Sequence, residues 1–271
     1  MCTRRVESYV PHAVGSVPYL NARPLVHRLP PDVAVTYHVP SQLPSLLHSG
    51  AANAVLVSSI EAISNVGMRV CADASISTRG EVMSVRLFSK VPFAEVRSVA
   101  LDRSSMTSNA LARIVLRERF ETDPVYAAEP PDLQAMLQRH DAALLIGDNG
   151  MRAKAGGLHV LDLGSEWASL TGLPFVWALW VGFDGLTEDL AADLVRARAA
   201  GVAAIPEIIG EEVRSGRWHP AVCSKYLAEV MNYDLDENHL AGLRLFGRKL
   251  IQHGLLAAAY EPELVRPRIA V

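Results

Sequence analysis

Short β-rich apolar runs alternate with helically spaced apolar positions along the first hundred residues. Residues 13–17, 33–39 and 54–57 read as strands, and 21–29, 44–48 and 60–66 as the helices that follow them. This βαβαβα order predicts a parallel sheet flanked by helices, with right-handed crossovers and ligands at the carboxyl ends of the strands. Residues 82–88 form a further strand candidate, and Ser89-Lys90-Val91-Pro92 after it reads as a hinge. A second alternation begins there, with strands at 96–101, 125–127 and 142–146 and helices at 106–120 and 132–139. The apolar, aromatic run 175–181 is a strand that could carry the chain back. The expectation is therefore an α/β protein of two lobes, 1–90 with 182–271 forming the first and 91–181 the second. The last ninety residues are mostly helical in pattern. Thr187 stands as N-cap before Leu190, Leu194 and Val195, and a later helix carries Leu240, Leu243, Leu250 and Ile251, with Gly254 just past its end.

Composition narrows the class. Of 271 residues, 50% are hydrophobic and 20% charged, as in ordinary packed domains, and the net charge of -3 offers no basic field for nucleic acid. A small-molecule partner is the better expectation, with no oligomeric state fixed. Cys2, Cys71 and Cys223 are odd in number and widely spaced, so they read as reduced thiols and not as a disulfide framework or zinc site. Residues 1–8 do not lead into a long apolar run, and no stretch is long enough to span a membrane. A cytoplasmic location is expected.

Candidate chemistry gathers at the strand-to-helix turns. Tyr19-Leu20-Asn21 follows the first strand, where Asn21 could hold a hydroxyl or carboxylate or could simply cap the helix. Ser58-Ser59 closes the third strand and opens a helix, so these hydroxyls could cap that helix, face an anion, or both. Ser104, Ser105, Thr107 and Ser108 crowd one helix start in the second lobe, which exceeds what capping requires and favours carboxylate capture. Ser84 sits in a strand that is otherwise apolar on alternating positions, and a buried hydroxyl there needs a partner. Gly147-Asp148 follows a buried strand and points into the cleft, or forms a turn. No GxSxG elbow, P-loop, GxGxxG after the first strand or HExxH is present, and the histidines are scattered, so hydrolase triads, nucleotide chemistry and metal catalysis lack support.

Taken together, Val17-Pro18-Tyr19-Leu20-Asn21, Val57-Ser58-Ser59-Ile60-Glu61, Ser75-Ile76-Ser77, Ser84-Val85, Leu87-Phe88-Ser89, Thr107-Ser108, Leu145-Ile146-Gly147-Asp148 and Thr171-Gly172-Leu173-Pro174-Phe175 resemble the MqnA family. The resemblance runs in family order through about the first two-thirds of the chain. It implies a two-lobed type II periplasmic-binding-protein-like fold with a ligand cleft between the lobes, used as an enzyme. The implied reaction converts chorismate to 3-[(1-carboxyvinyl)oxy]benzoate and water on the futalosine route to menaquinone, with no cofactor. Catalytic roles carry over to Asn21 and Ser84. Substrate contacts are expected from Tyr19, Ser58, Ser59, Ser105, Thr107, Ser108, Gly147 and Asp148. The rival expectations are a non-catalytic carboxylate-binding protein and the sister enzyme 1,4-dihydroxy-6-naphthoate synthase.

Overall fold

The computed structural model describes residues 12–268. The expectations placed on Cys2 and on residues 1–8 lie outside the described residues. In chain order the strands are β1 (His12–Ser16), β2 (Val33–Tyr37), β3 (Ala54–Ser58), β4 (Arg69–Thr78), β5 (Arg86–Ser89), β6 (Ser98–Asp102), β7 (Val125–Glu129), β8 (Ala142–Leu145), β9 (His159–Asp162), β10 (Phe175–Gly182) and β11 (Glu263–Val265).

They form two sheets, one ordered β11-β4-β10-β3-β1-β2 and the other β7-β6-β8-β5-β9. Setting β11 aside, the two orders are the same. Each sheet runs second, first and third strand of its lobe, then a strand arriving from the other lobe, then the fourth. The arriving strands, β10 and β5, pair antiparallel with both neighbours, whereas β1, β2 and β3, and likewise β6, β7 and β8, pair in parallel. Both crossings therefore differ from the boundaries expected at 90 and 181. β5 already belongs to the second sheet and β10 already to the first, so the chain crosses at 79–85 and again between Asp162 and Phe175. Pro92 is what misleads the sequence pattern. It starts a short 3-10 turn at Phe93–Glu95 that lies after the crossing.

Burial explains why these segments are central. β3 and β10 are buried along nearly their whole length, as continuous apolar runs must be when both sheet faces are covered. Trp167, Phe175 and Phe246 meet edge-on at ring separations of 5.0–6.1 Å, tying the helix Leu163–Thr171 and the helix Glu237–Gln252 to β10. Such aromatic pairs contribute about 0.5–1.5 kcal/mol beyond area burial. Thr187 caps its helix as expected, its hydroxyl accepting from the Leu190 N–H at 3.2 Å. No helix among the described residues is long and apolar enough to cross a membrane.

Candidate functional site

Between the sheets lies a cavity with ≈ 90 Å³ of space open to the centres of water-sized molecules. Its walls come from the ends of strands in both lobes. The first lobe supplies Val17, Tyr19, Asn21, Leu56, Val57, Ser58, Ile76, Trp177 and Ala178, and the second supplies Val85, Ser104, Ser105, Thr107, Ser108, Ile146 and Gly147. Val82 and Ser84 enter from the crossing segment. No lining residue is charged, so polarity is supplied by hydroxyls, one carboxamide and backbone groups.

Two contacts between the lobes close this space. The Ile60 N–H, at the start of the helix Ser59–Ser64, donates to Thr107 Oγ1 at 3.0 Å, at the start of the helix Thr107–Phe120. The Leu20 N–H donates to Asp148 Oδ1 at 3.4 Å. The two hydroxyl-rich helix starts are thus direct neighbours, not opposite walls. Tyr19 also spans the gap: its ring is 3.6 Å from where a Cβ on Gly147 would stand. Gly147 has φ +55, a left-handed conformation that favours glycine. Burial raises the Tyr19 phenol above its ordinary range, with the Asp102 carboxylate adding to that, so the phenol stays protonated.

The candidates divide cleanly. Tyr19, Asn21, Ser58, Ser84, Ser105, Thr107, Ser108 and Gly147 all line the cavity. Ser59 does not: it is fully buried, and its hydroxyl is turned away to donate to the Val176 carbonyl of β10. Asp148 does not either. Its carboxylate turns behind the Tyr19-Leu20 turn into a separate polar space shared with Arg23, Glu212 and Arg217. Burial raises the Asp148 carboxyl above its usual range, because the Leu20 N–H and neighbouring arginines compensate only in part.

Asn21 caps nothing. Its Oδ1 is buried and has no hydrogen-bond partner, so it is an acceptor held in reserve at the cavity wall. Ser58 stands at an N-cap position but makes no side-chain cap hydrogen bond, which leaves its hydroxyl for the cavity. The arginines near the turns are all engaged elsewhere or exposed. Arg23 pairs with Glu211 at 2.6 Å and Arg79 with Asp236 at 2.9 Å, whereas Arg103 is exposed. Arg86 donates to the carbonyls of Gly150, Met151 and Ala153, closing the carboxyl end of the helix Gly147–Arg152.

Ser84 is not on a strand, as the alternation had suggested. It sits in a tight turn before β5, its N–H donating to the Val82 carbonyl at 2.7 Å, with Met83 at φ +60. A left-handed non-glycine residue is strained, and the surroundings must hold it there. Asp162 does so: its carboxylate accepts the Val82 N–H at 2.9 Å and the Met83 N–H at 2.7 Å while capping the next helix through Ser165. Burial nevertheless raises the Asp162 carboxyl above its usual range. On the other side, Tyr226 donates its O–H to Ser84 Oγ at 2.8 Å.

Tyr226, Asp162 and Trp177 are the site's residues that sequence reasoning missed as such. Trp177 lines the cavity with its indole N–H fixed on Thr78 Oγ1 at 3.1 Å. For Tyr226, the one usable signal is that a buried tyrosine hydroxyl requires a partner.

Two sheets of one strand order, crossed twice by the chain and facing each other across a small cavity, define a protein of the periplasmic-binding-protein fold. A structure from Archaeoglobus fulgidus superposes with a TM-score of 0.74 at 18% identity, covering 92% of this chain and 100% of that one. The periplasmic aliphatic sulphonate binding protein SsuA of Escherichia coli superposes with 0.62 at 15% identity, over 96% and 95%. These likenesses concern the fold alone. The chain belongs to the menaquinone biosynthesis family, whose model matches residues 12–252. A chorismate dehydratase from Thermus thermophilus is 31% identical over 261 residues, covering 89% of this chain and 95% of the relative.

Proposed function

We propose that the protein is a chorismate dehydratase, a hydro-lyase that converts chorismate to 3-[(1-carboxyvinyl)oxy]benzoate and water, with Asn21 and Ser84 as its catalytic residues. The observation that carries this reading is a cavity between the lobes that Asn21, Ser84 and a row of hydroxyls line without a single acid or base that titrates near neutrality. Such a site suits a substrate that brings its own base.

In the reaction the C–H bond on the ring carbon that bears the enolpyruvyl ether breaks, its electron pair moves into the ring system, and the C–OH bond on the neighbouring carbon breaks. The proton and the hydroxide leave as water, and aromatisation supplies the driving force. The substrate's enolpyruvyl carboxylate takes the proton, oriented by the Ser84 hydroxyl. Asn21 holds the departing hydroxyl. The ring carboxylate sits against the hydroxyls of Ser105, Thr107 and Ser108 at the start of the fourteen-residue helix, whose dipole and N–H groups favour the negative charge that grows there as the proton leaves. Closure through Ile60–Thr107 and Leu20–Asp148 holds the reacting groups together and keeps water out.

Incubating the purified protein with chorismate and following the aromatic product by chromatography tests this directly. No turnover at any pH tried would remove the dehydratase assignment, and chorismate binding without product would make the protein a plain carboxylate binder. Asn21→Ala and Ser84→Ala should each slow turnover by at least about 100-fold while the protein still folds and melts cooperatively. Near-wild-type rates would take them out of the mechanism. With a carboxylate of the substrate as base, kcat should be flat between about pH 5.5 and 8; a limb near pH 6.5 would point to a histidine instead.

A further inference from the structure

We infer that Tyr226 is a positioning residue of this site: its phenol donates to Ser84 Oγ and thereby commits the one serine O–H to an oxygen of the substrate in the cavity. The inference rests on the dehydratase reading and assigns the machinery behind its serine.

Tyr226 is 1% exposed and does not line the cavity, so it acts through Ser84 and does not touch substrate. It belongs to the segment Lys225–Val230, where the helix widens to i→i+5 hydrogen bonding and the Met231 N–H reaches the Tyr226 carbonyl at 3.0 Å. Widened turns of this kind recur at functional sites because they re-aim a side chain. Here the re-aimed chain is the phenol, 2.8 Å from Ser84 Oγ.

A serine hydroxyl has one proton to give. With the Tyr226 proton filling one acceptor direction of Oγ, the proton on Ser84 itself is directed elsewhere. Among the described residues no hydrogen bond takes it up, and the cavity is the open direction. The turn Val82–Ser84 is pinned from behind by Asp162, so the phenol sets the hydroxyl's direction on a backbone already fixed. Asn21 lines the same cavity, its buried Oδ1 without a hydrogen-bond partner. Burial raises the phenol's pKa, so Tyr226 keeps its proton at neutral pH. Tyr226 and Ser84 form a directional pair that ends on the substrate.

The test is a double-mutant cycle on chorismate turnover with wild type, Tyr226→Phe, Ser84→Ala and the double variant. Tyr226→Phe keeps the ring and its packing. It should lower kcat about 10- to 100-fold and change KM less than about threefold. In the Ser84→Ala background the same change should cost less than about twofold, since the hydroxyl it aims is gone. A merely structural tyrosine would slow both backgrounds by the same factor, and that result, or a wild-type kcat for Tyr226→Phe, overturns the inference.

Wild-type protein that makes no product refutes the dehydratase assignment separately. The cycle is then read on chorismate affinity by calorimetry, where Tyr226→Phe should weaken binding only when Ser84 is present. Equal weakening in both backgrounds, or no chorismate binding by wild type, overturns the role. Independently of any variant's folding, neutron diffraction from the wild-type protein should place the shared deuteron on the Tyr226 oxygen. A deuteron on Ser84 pointing at Tyr226 would refute the direction of the chain.

Discussion

Gly150 offers a test of how tightly the serine is held. A Cβ built there would stand 2.1 Å from the Ser84 carbonyl oxygen and 2.8 Å from the Leu145 carbonyl oxygen. A carbon–oxygen contact relaxes only near 3.3 Å, so Gly150→Ala must drive the helix Gly147–Arg152 and the Ser84 turn apart by roughly 1.2 Å. Neither obstacle is a side chain that could rotate away, and Arg86 holds the Gly150 carbonyl from the other side. Overpacking of this kind costs about 1–3 kcal/mol, which the better helix propensity of alanine offsets by about 1 kcal/mol. A net loss of up to about 2 kcal/mol should lower the melting temperature by up to about 8 °C. Displacing the serine by about 1 Å should cost about 100-fold in kcat. Calorimetric melting and chorismate turnover on the same preparation read both effects. Gly210→Ala is the control, because the helix Ile205–Arg214 gives its Cβ nothing closer than the flexible Arg214 guanidinium at 3.1 Å, so alanine there should be neutral or stabilising. If Gly150→Ala also melts at or above the wild-type temperature and retains activity within about twofold, the close packing of this helix on Ser84 is refuted.

Two further outcomes follow from contacts already described. Thr107→Val removes the acceptor for the Ile60 N–H across the lobes, about 1 kcal/mol of closed-state stabilisation, and should raise KM for chorismate about fivefold or more; an unchanged KM would show that this bond does not contribute to closure. Asp236 is the N-cap of the helix Glu237–Gln252, accepting the His239 N–H at 3.0 Å. Burial pushes its carboxyl up, but the His239 N–H and imidazole and the Arg79 guanidinium outweigh that and hold it at about 2, below the usual 3.8. Because the folded-state value is depressed, the stability it contributes is present above about pH 4 and lost as pH falls towards 2. Asp236→Ala should cost about 1 kcal/mol at neutral pH and flatten acid unfolding across that window, as read by denaturant titration at several pH values. Unchanged acid unfolding would deny Asp236 this role.

What the amino-acid pattern made legible was local. β3, β8 and β10 announce themselves because a strand covered on both faces must be apolar throughout, and Thr187 and Gly254 mark helix ends by chemistry that acts within a turn. The hydroxyls at 58, 105, 107 and 108 could be placed at the cavity because parallel strands deliver their following turns to one edge of the sheet. What failed to be legible depends on partners distant in the chain. Ser59 and Ser58 are indistinguishable by position, and only the approach of β10 from 117 residues away takes the Ser59 hydroxyl out of the site. Asp148 is likewise claimed by Leu20 from the other lobe. The alternation at 82–88 hides a left-handed residue at Met83, because the strain is compensated by Asp162, which no local signal connects to it. Tyr226 joins Ser84 across 142 residues, inside a helical region whose pattern carries no functional signature.

The engagement of the nearby arginines bears on the proposed chemistry as much as on the fold. A guanidinium beside the enolpyruvyl carboxylate would lower its pKa and weaken it as a base. A dry apolar wall has the opposite effect, since desolvation penalises the charged carboxylate and raises its affinity for a proton. Val17, Val82, Val85, Ile76, Ile146 and Trp177 give the cavity an apolar wall, and Glu211, Asp236 and the carbonyls at 150, 151 and 153 keep Arg23, Arg79 and Arg86 occupied elsewhere. Neutral hydroxyls can orient the carboxylate with far less loss of basicity than a full positive charge would cause. A binding-protein fold that already closes over anions with hydroxyls and helix starts therefore needs little more than correct aim to become an eliminating enzyme. In the proposed mechanism that aim comes from the phenol behind Ser84, the carboxylate behind Met83 and the unspent oxygen of Asn21.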